Sequence, residues 1–146
     1  MSDEARYLRE RFHFPAPRCA LGVQLRRYAS ACIDVSDGLA GDAGKLAAAS
    51  GCGAEIELAT VPLSEALVRT LGDDRARELA LCGGDDYELL FTVPRGRLDA
   101  LECELPSARA GWRRIGKMCA RAGVFLMRDG AVTQFSASGY DHFAVG

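Results

Sequence analysis

Carboxylates gather in two short stretches of this 146-residue chain. The first is "ACIDVSDGLAGD", with Asp34, Asp37 and Asp42, and the second is "CGGDDYE", with Asp85, Asp86 and Glu88. Asp34, Asp37 and the hydroxyl of Ser36 are hard oxygen ligands. Mg2+ suits such a set, because it takes one or two protein carboxylates and completes its shell with water and phosphate oxygens. A helix beginning at this point would add backbone N–H groups that favour an anion. A plainer reading makes Asp37 a helix cap, Asp34 a solvated side chain and Asp42 a surface residue. "CGGDDYE" is equally open, since Gly-Gly followed by acids is an ordinary helix stop and loop. Two acidic clusters at two element boundaries, each followed by apolar sequence, together fit a metal–polyphosphate site or a cationic ligand.

Near the C-terminus, "SASGYDHFAVG" places Tyr140, His142 and Phe143 behind a glycine. The aromatic pair suits stacking on a flat ring or the closing of a core. His142 has no evident partner in His13, so a structural role is expected of it. The chain contains no phosphate-binding Walker loop, no GxSxG elbow and no HExxH motif. No catalytic acid, base or nucleophile is assigned.

The elements that must hold these residues follow from the patterning. Residues 3 to 11 favour a helix, and Pro15 and Pro17 break it, so residues 1–30 are expected to form a connector and a lead-in helix. In "GVQLRRYASA", Val23, Leu25 and Tyr28 predict a short helix lying on other structure. Ala31, Ile33 and Val35 alternate with Cys32, Asp34 and Ser36, which predicts a strand with Asp34 and Ser36 on one face. Asp37 then stands as the cap of a helix with Leu39, Ala43, Leu46, Ala47 and Ser50 at three- and four-residue spacing, stopped by Gly51 and Gly53. "AEIEL" predicts a strand, Ser64 caps a helix, and "DDRARELALC" makes another. "DDYELLFTV" predicts a strand with Tyr87, Leu89, Phe91 and Val93 on one face. A helix around residues 95 to 103 ends at Pro106. "WRRIGKM", "GVFLMRDG" and "AVTQFSA" follow as strands, the last two joined by a hairpin turn at Arg128-Asp129-Gly130-Ala131. Helices interleaved with strands, some joined by hairpins, predict an α+β fold with a mixed sheet covered by helices.

Composition narrows the function. At 49% hydrophobic residues and a net charge of −2, the chain has material for one core and lacks the basic excess that nucleic-acid binding requires. Cysteines 19, 32, 52, 82, 103 and 119 are too widely spaced for a local zinc or dithiol motif, which leaves only distant pairing, and most are expected to be buried, reduced and inert. The charged start "MSDEARYLRERFHF" is no secretory signal, and no run of about 18 to 20 apolar residues occurs. A cytoplasmic protein without membrane contact is expected.

Read in order, "YLRERFHFPAPRCALGVQLRRYASACIDVSDGLAGD", "ALCGGDDYELLFTV", "IGKM" and "GYDHF" resemble the C-terminal domain of thiamine-monophosphate kinases, within the aminoimidazole ribonucleotide synthetase-like superfamily. The resemblance implies ATP-dependent phosphorylation of thiamine monophosphate to thiamine diphosphate with Mg2+. It places Asp34 and Asp37 at metal-binding positions, Ser36 at an ATP contact, Asp85 on the thiamine side and Tyr140 at a substrate-contacting aromatic position. The family often has Glu where Asp85 stands. The resemblance also implies that residues 31–146 are the C-terminal domain, that the N-terminal nucleotide-binding domain is absent, that this chain alone is inactive and that the full-length parent is a homodimer. Alternatives are another ATP-using enzyme of the superfamily, acting on a purine precursor or a carbamoyl group, and a non-catalytic binding module of the same fold.

Overall fold

Ser2 opens the first helix by accepting a hydrogen bond from the amide of Ala5 at 3.2 Å. Asp3 and Glu4 in the first turn of this helix, α1 (Asp3–His13), and Arg11 and His13 in its last turn, complement the helix dipole. The computed structural model describes residues 2–136. Helix α2 (Cys19–Leu25) starts soon after Pro17, a few residues earlier than the apolar pattern suggests. Leu25 and Tyr28 are buried as expected, whereas Val23 points to solvent at 62% exposure. The lead-in segment therefore supplies core residues.

Strand β1 (Ala31–Val35) alternates as expected, with Cys32 and Asp34 exposed and Val35 buried. Helix α3 (Leu39–Ala49) follows, then β2 (Gly53–Glu57), α4 (Glu65–Leu71) and α5 (Asp73–Cys82). The Ser64 hydroxyl caps α4 by accepting from the Leu67 amide at 3.3 Å. Strand β3 (Glu88–Thr92) is shorter than the apolar alternation implies, and Tyr87 lies before it with φ of 52°. Alternation alone carries no information on φ, so it could not show where the strand starts. Helix α6 (Leu98–Glu104) and the short α7 (Ser107–Ala110) lead to β4 (Gly116–Cys119), β5 (Gly123–Arg128) and β6 (Ala131–Gln134). Pro106 closes the first of these helices and stands directly before the second. Asp129 and Gly130, at φ of 50° and 81°, form the expected β5–β6 turn, since two consecutive positive φ values match the strand twist.

The fold is α+β. Strands β4, β2, β5 and β6 make one sheet in that order, with β2 and β5 parallel and the other pairs antiparallel, while β1 and β3 form a separate antiparallel ribbon. Helix α3 lies on the larger sheet through Ala40, Ala43 and Ala47, which pack with Ala54, Ile56, Val124 and Leu126. Its small residues permit a close approach: a Cβ added at Gly44 would already touch Val124 at 3.4 Å. A second core joins Leu25, Tyr28 and Leu101 to Leu89, Phe91 and Trp112, so the ribbon is held from its other side by α2 and α6.

All six cysteines are free, and none is buried: Cys19, Cys32, Cys82 and Cys103 are exposed, Cys52 and Cys119 half-buried. The expectation of buried thiols fails because these residues fall on the outer faces of their elements; Cys32, for instance, shares the exposed face of β1 with Asp34. Among the described residues no helix is long and apolar enough to cross a membrane.

Candidate functional site

The two acidic stretches meet. Val35 of β1 pairs with Glu88 of β3, and the pairing continues beyond the strand ends. The Tyr87 amide donates to the Val35 carbonyl, and the Asp85 amide to the Ser36 carbonyl, both at 2.9 Å. Asp34, Asp37, Asp85, Asp86 and Tyr87 are all exposed along this rim. Two glycines make the crossing possible. A Cβ on Gly84 would lie 2.4 Å from the Ser36 carbonyl oxygen. Gly38, at φ of 101°, would bring a Cβ to 2.9 Å from the backbone of Cys82. Gly84→Ala is expected to lower the urea midpoint by the equivalent of about 1–3 kcal/mol, because backbone rather than a flexible side chain must yield; an unchanged midpoint would show that the loops are free to separate.

Asp37 does not cap α3. The capping position is Gly38, which has no side chain to offer, and the Asp37 carboxylate instead accepts an ion-paired hydrogen bond from Lys45. Asp42, expected at the surface, is 1% exposed. One of its oxygens accepts from the amides of Ser36 and Asp37, both at 2.9 Å, and the other from the Lys45 ammonium at 2.7 Å. Those two amides are thus already satisfied from within. Burial pushes the Asp42 carboxyl up, but Lys45 and the two amides outweigh it and hold the group below the usual range. The Lys45 ammonium is raised above its ordinary value, first by Asp37 and then by Asp42.

On the other side of the rim, Asp85 and Tyr87 both occupy left-handed backbone, at φ of 66° and 52°, and the Tyr87 hydroxyl donates to Asp85 at 3.2 Å. A bulky residue pays for this conformation, at about 1–3 kcal/mol, and such strain concentrates at functional loops. Asp86 keeps much of its surface, yet its carboxyl is shielded enough to be pushed up, by burial first and then by Glu88 and Asp85, with Arg11 opposing. Glu88 is gripped by both nitrogens of an Arg18 fork at 2.8 Å and by Arg11 at 3.3 Å. These arginines, from α1 and the start of α2, bind the N-terminal helices to the acidic loop.

The family model for the AIR synthase related protein C-terminal domain matches residues 16–129. The chain belongs to this family. Among its curated relatives is the thiamine-monophosphate kinase of Salmonella typhimurium, 44% identical over 142 residues, covering 97% of this chain and 44% of the relative. The crystal structure of thiamine-monophosphate kinase from Stenotrophomonas maltophilia aligns with a TM-score of 0.78 at 42% identity, over 87% of this chain and 40% of that one. AaThiL complexed with AMPPCP and TMP aligns with a TM-score of 0.71 at 33% identity, over 90% and 40%. The chain therefore spans less than half the length of these relatives.

Of the residues singled out in the sequence of this AIR synthase related domain, Asp34, Ser36, Asp37 and Asp85 are brought to one rim. Tyr140 and His142 lie outside the described residues. Among the described residues no three His, Cys, Asp or Glu side chains converge as a metal cage. Mg2+ needs few protein ligands, so two carboxylates and a hydroxyl would suffice from this chain, and the Asp37 carboxylate is paired with a cation, the Lys45 ammonium. Sequence reasoning missed Asp42, Lys45 and the Arg18–Glu88 clamp. Asp42 carried a usable signal: it falls three residues after Leu39 and four before Leu46, a carboxylate on the apolar stripe of a helix.

Proposed function

We propose that this chain is the C-terminal part of an ATP-dependent kinase that converts thiamine monophosphate to thiamine diphosphate. The observation that carries the reading is the joining of the two acidic stretches into one rim by the Asp85–Ser36 and Tyr87–Val35 backbone bonds. Similarity to thiamine-monophosphate kinases over nearly the whole chain supports the substrate, and AaThiL with AMPPCP and TMP shows a relative holding an ATP analogue and TMP together.

On this reading Asp34 and Asp37 hold Mg2+, Ser36 contacts ATP, and Asp85 faces the cationic thiazolium ring, with Tyr140 against the heterocycle. Bound Mg2+ supplies charge neutralisation of the polyphosphate. A phosphate oxygen of thiamine monophosphate forms the new bond to the γ-phosphorus, the bond from that phosphorus to the β–γ bridging oxygen breaks, and ADP leaves with its electron pair. No side chain has to act as acid or base, since the transfer depends on positioning and electrostatics. The carboxylates of this chain make only part of a metal shell, so the chain alone is inactive and the full-length protein, a homodimer on the same resemblance and cytoplasmic on the sequence reading, is active. Full-length protein should be stabilised in a thermal-shift assay by thiamine monophosphate and not by a purine ribonucleotide precursor, and should form thiamine diphosphate from ATP, while the 146-residue chain should form none. Stabilisation by the ribonucleotide precursor alone would favour a different ATP-using enzyme of the family, and absence of any turnover a binding module.

A further inference from the structure

The Asp42–Lys45 pair has a role that neither capping nor solvation explains. Lys45 is one of only two lysines in the chain. Its ammonium bridges the exposed Asp37 carboxylate and the buried Asp42 carboxylate, at 2.7 Å from the latter. Asp42 is fixed in turn by the amides of Ser36 and Asp37, so the anchor cannot follow the ammonium if it moves. Side-chain exposures of 51% for Lys45 and 68% for Asp37 leave one end of the bridge open to solvent, against 1% for Asp42. The bridge is thus fixed at one end and exchangeable at the other.

We propose that Lys45 is a tethered placeholder cation, which neutralises Asp37 in the empty site and is displaced from it when a divalent metal binds. The proposal rests on the reading of Asp37 as a metal ligand. Without the ammonium, no hydrogen bond among the described residues would hold the Asp37 side chain in place. With it, the carboxylate is oriented before the metal arrives, and metal binding exchanges one cation for another. Asp42 retains the displaced ammonium close by, where its charge is available to phosphate oxygens. The cost is affinity: a divalent ion must compete with a resident positive charge.

Mn2+, counted as free ion by electron paramagnetic resonance during titration of the full-length protein, tests this. Asp37→Asn should abolish one class of Mn2+ site. Lys45→Met and Lys45→Gln should each tighten that same class by about three- to thirtyfold, whereas Lys45→Arg, which keeps the charge, should stay within about twofold of the parent. Lys45→Gln retains a hydrogen-bond donor, so it holds the test open if Lys45→Met does not fold. Loss of the site in Asp37→Asn with unchanged or weaker binding in the Lys45 variants overturns the placeholder role and leaves the metal assignment standing. Unchanged Mn2+ binding in Asp37→Asn overturns both.

Discussion

Asp37→Asn in the full-length protein is expected to lower the rate of thiamine diphosphate formation on the order of 100-fold or more, with a Mg2+ dependence displaced to higher concentration. The substitution is nearly isosteric and removes one negative charge from an exposed group, so folding should be preserved. Asp37 does not cap α3, because Gly38 occupies that position. Its carboxylate is held instead by Lys45, a pairing that accords with the proposed binding of positive charge there. On the proposed reading of Asp37 as a metal ligand, its loss removes electrostatic stabilisation of phosphoryl transfer that water does not replace. Steady-state rates across a Mg2+ series, with circular dichroism as a folding control, measure this; a rate within threefold of the parent's, roughly the scatter of a surface substitution, would reduce Asp37 to a surface charge.

Asp42 should respond differently, through stability as well as rate. Asp42→Ala removes the acceptor for the Ser36 and Asp37 amides and the anchor of Lys45. A buried donor left unpaired costs about 1–3 kcal/mol, and a lost supporting contact about 10- to 100-fold in activity or metal affinity. A large fall in the urea midpoint is therefore expected together with reduced turnover. The pH dependence has a definite sign. The Asp42 carboxyl lies below its ordinary range in the folded chain, so its stabilisation is present above the unfolded value near pH 4 and fades as pH falls through the lower folded value. The gap in stability between the parent and Asp42→Asn should be full at pH 6 and close progressively below about pH 4. A gap that stays constant to pH 2 would mean that the carboxylate charge contributes nothing to the Asp42–Lys45 bridge.

The strand-to-helix corner was legible because its signals are local. Period-2 alternation placed Asp34 on the strand face opposite Val35, which the fold leaves exposed, and the three- and four-residue spacing placed α3. The partner of Asp37 was not legible, since which of several polar groups reaches a carboxylate depends on the backbone at Gly38, whose φ of 101° no pattern of polarity announces. Asp42 looked like surface for a related reason: an isolated acid is usually solvated, and only its position on the apolar stripe argued otherwise. The meeting of the two acidic stretches follows from β1 pairing with β3, a contact between segments far apart in sequence. Sequence supplied the inventory of the rim, and long-range pairing supplied its geometry. Tyr87 was drawn into β3 because aromatic alternation cannot distinguish a strand residue from a strained loop residue beside it.

Ala40, Ala43 and Ala47 set a limit on how this domain can drift in sequence. They fix the separation between α3 and the larger sheet by having almost no side chain to rearrange. Enlarging any of them tilts or lifts the helix, and its first turn carries the corner with it. Volume can be exchanged among Ile56, Val124 and Leu126, where branched chains can repack, but not on the helix side. The alanine face thus acts as a gauge block for the acidic rim, and substitutions that keep the rim in place are expected in the sheet beneath it rather than on the helix.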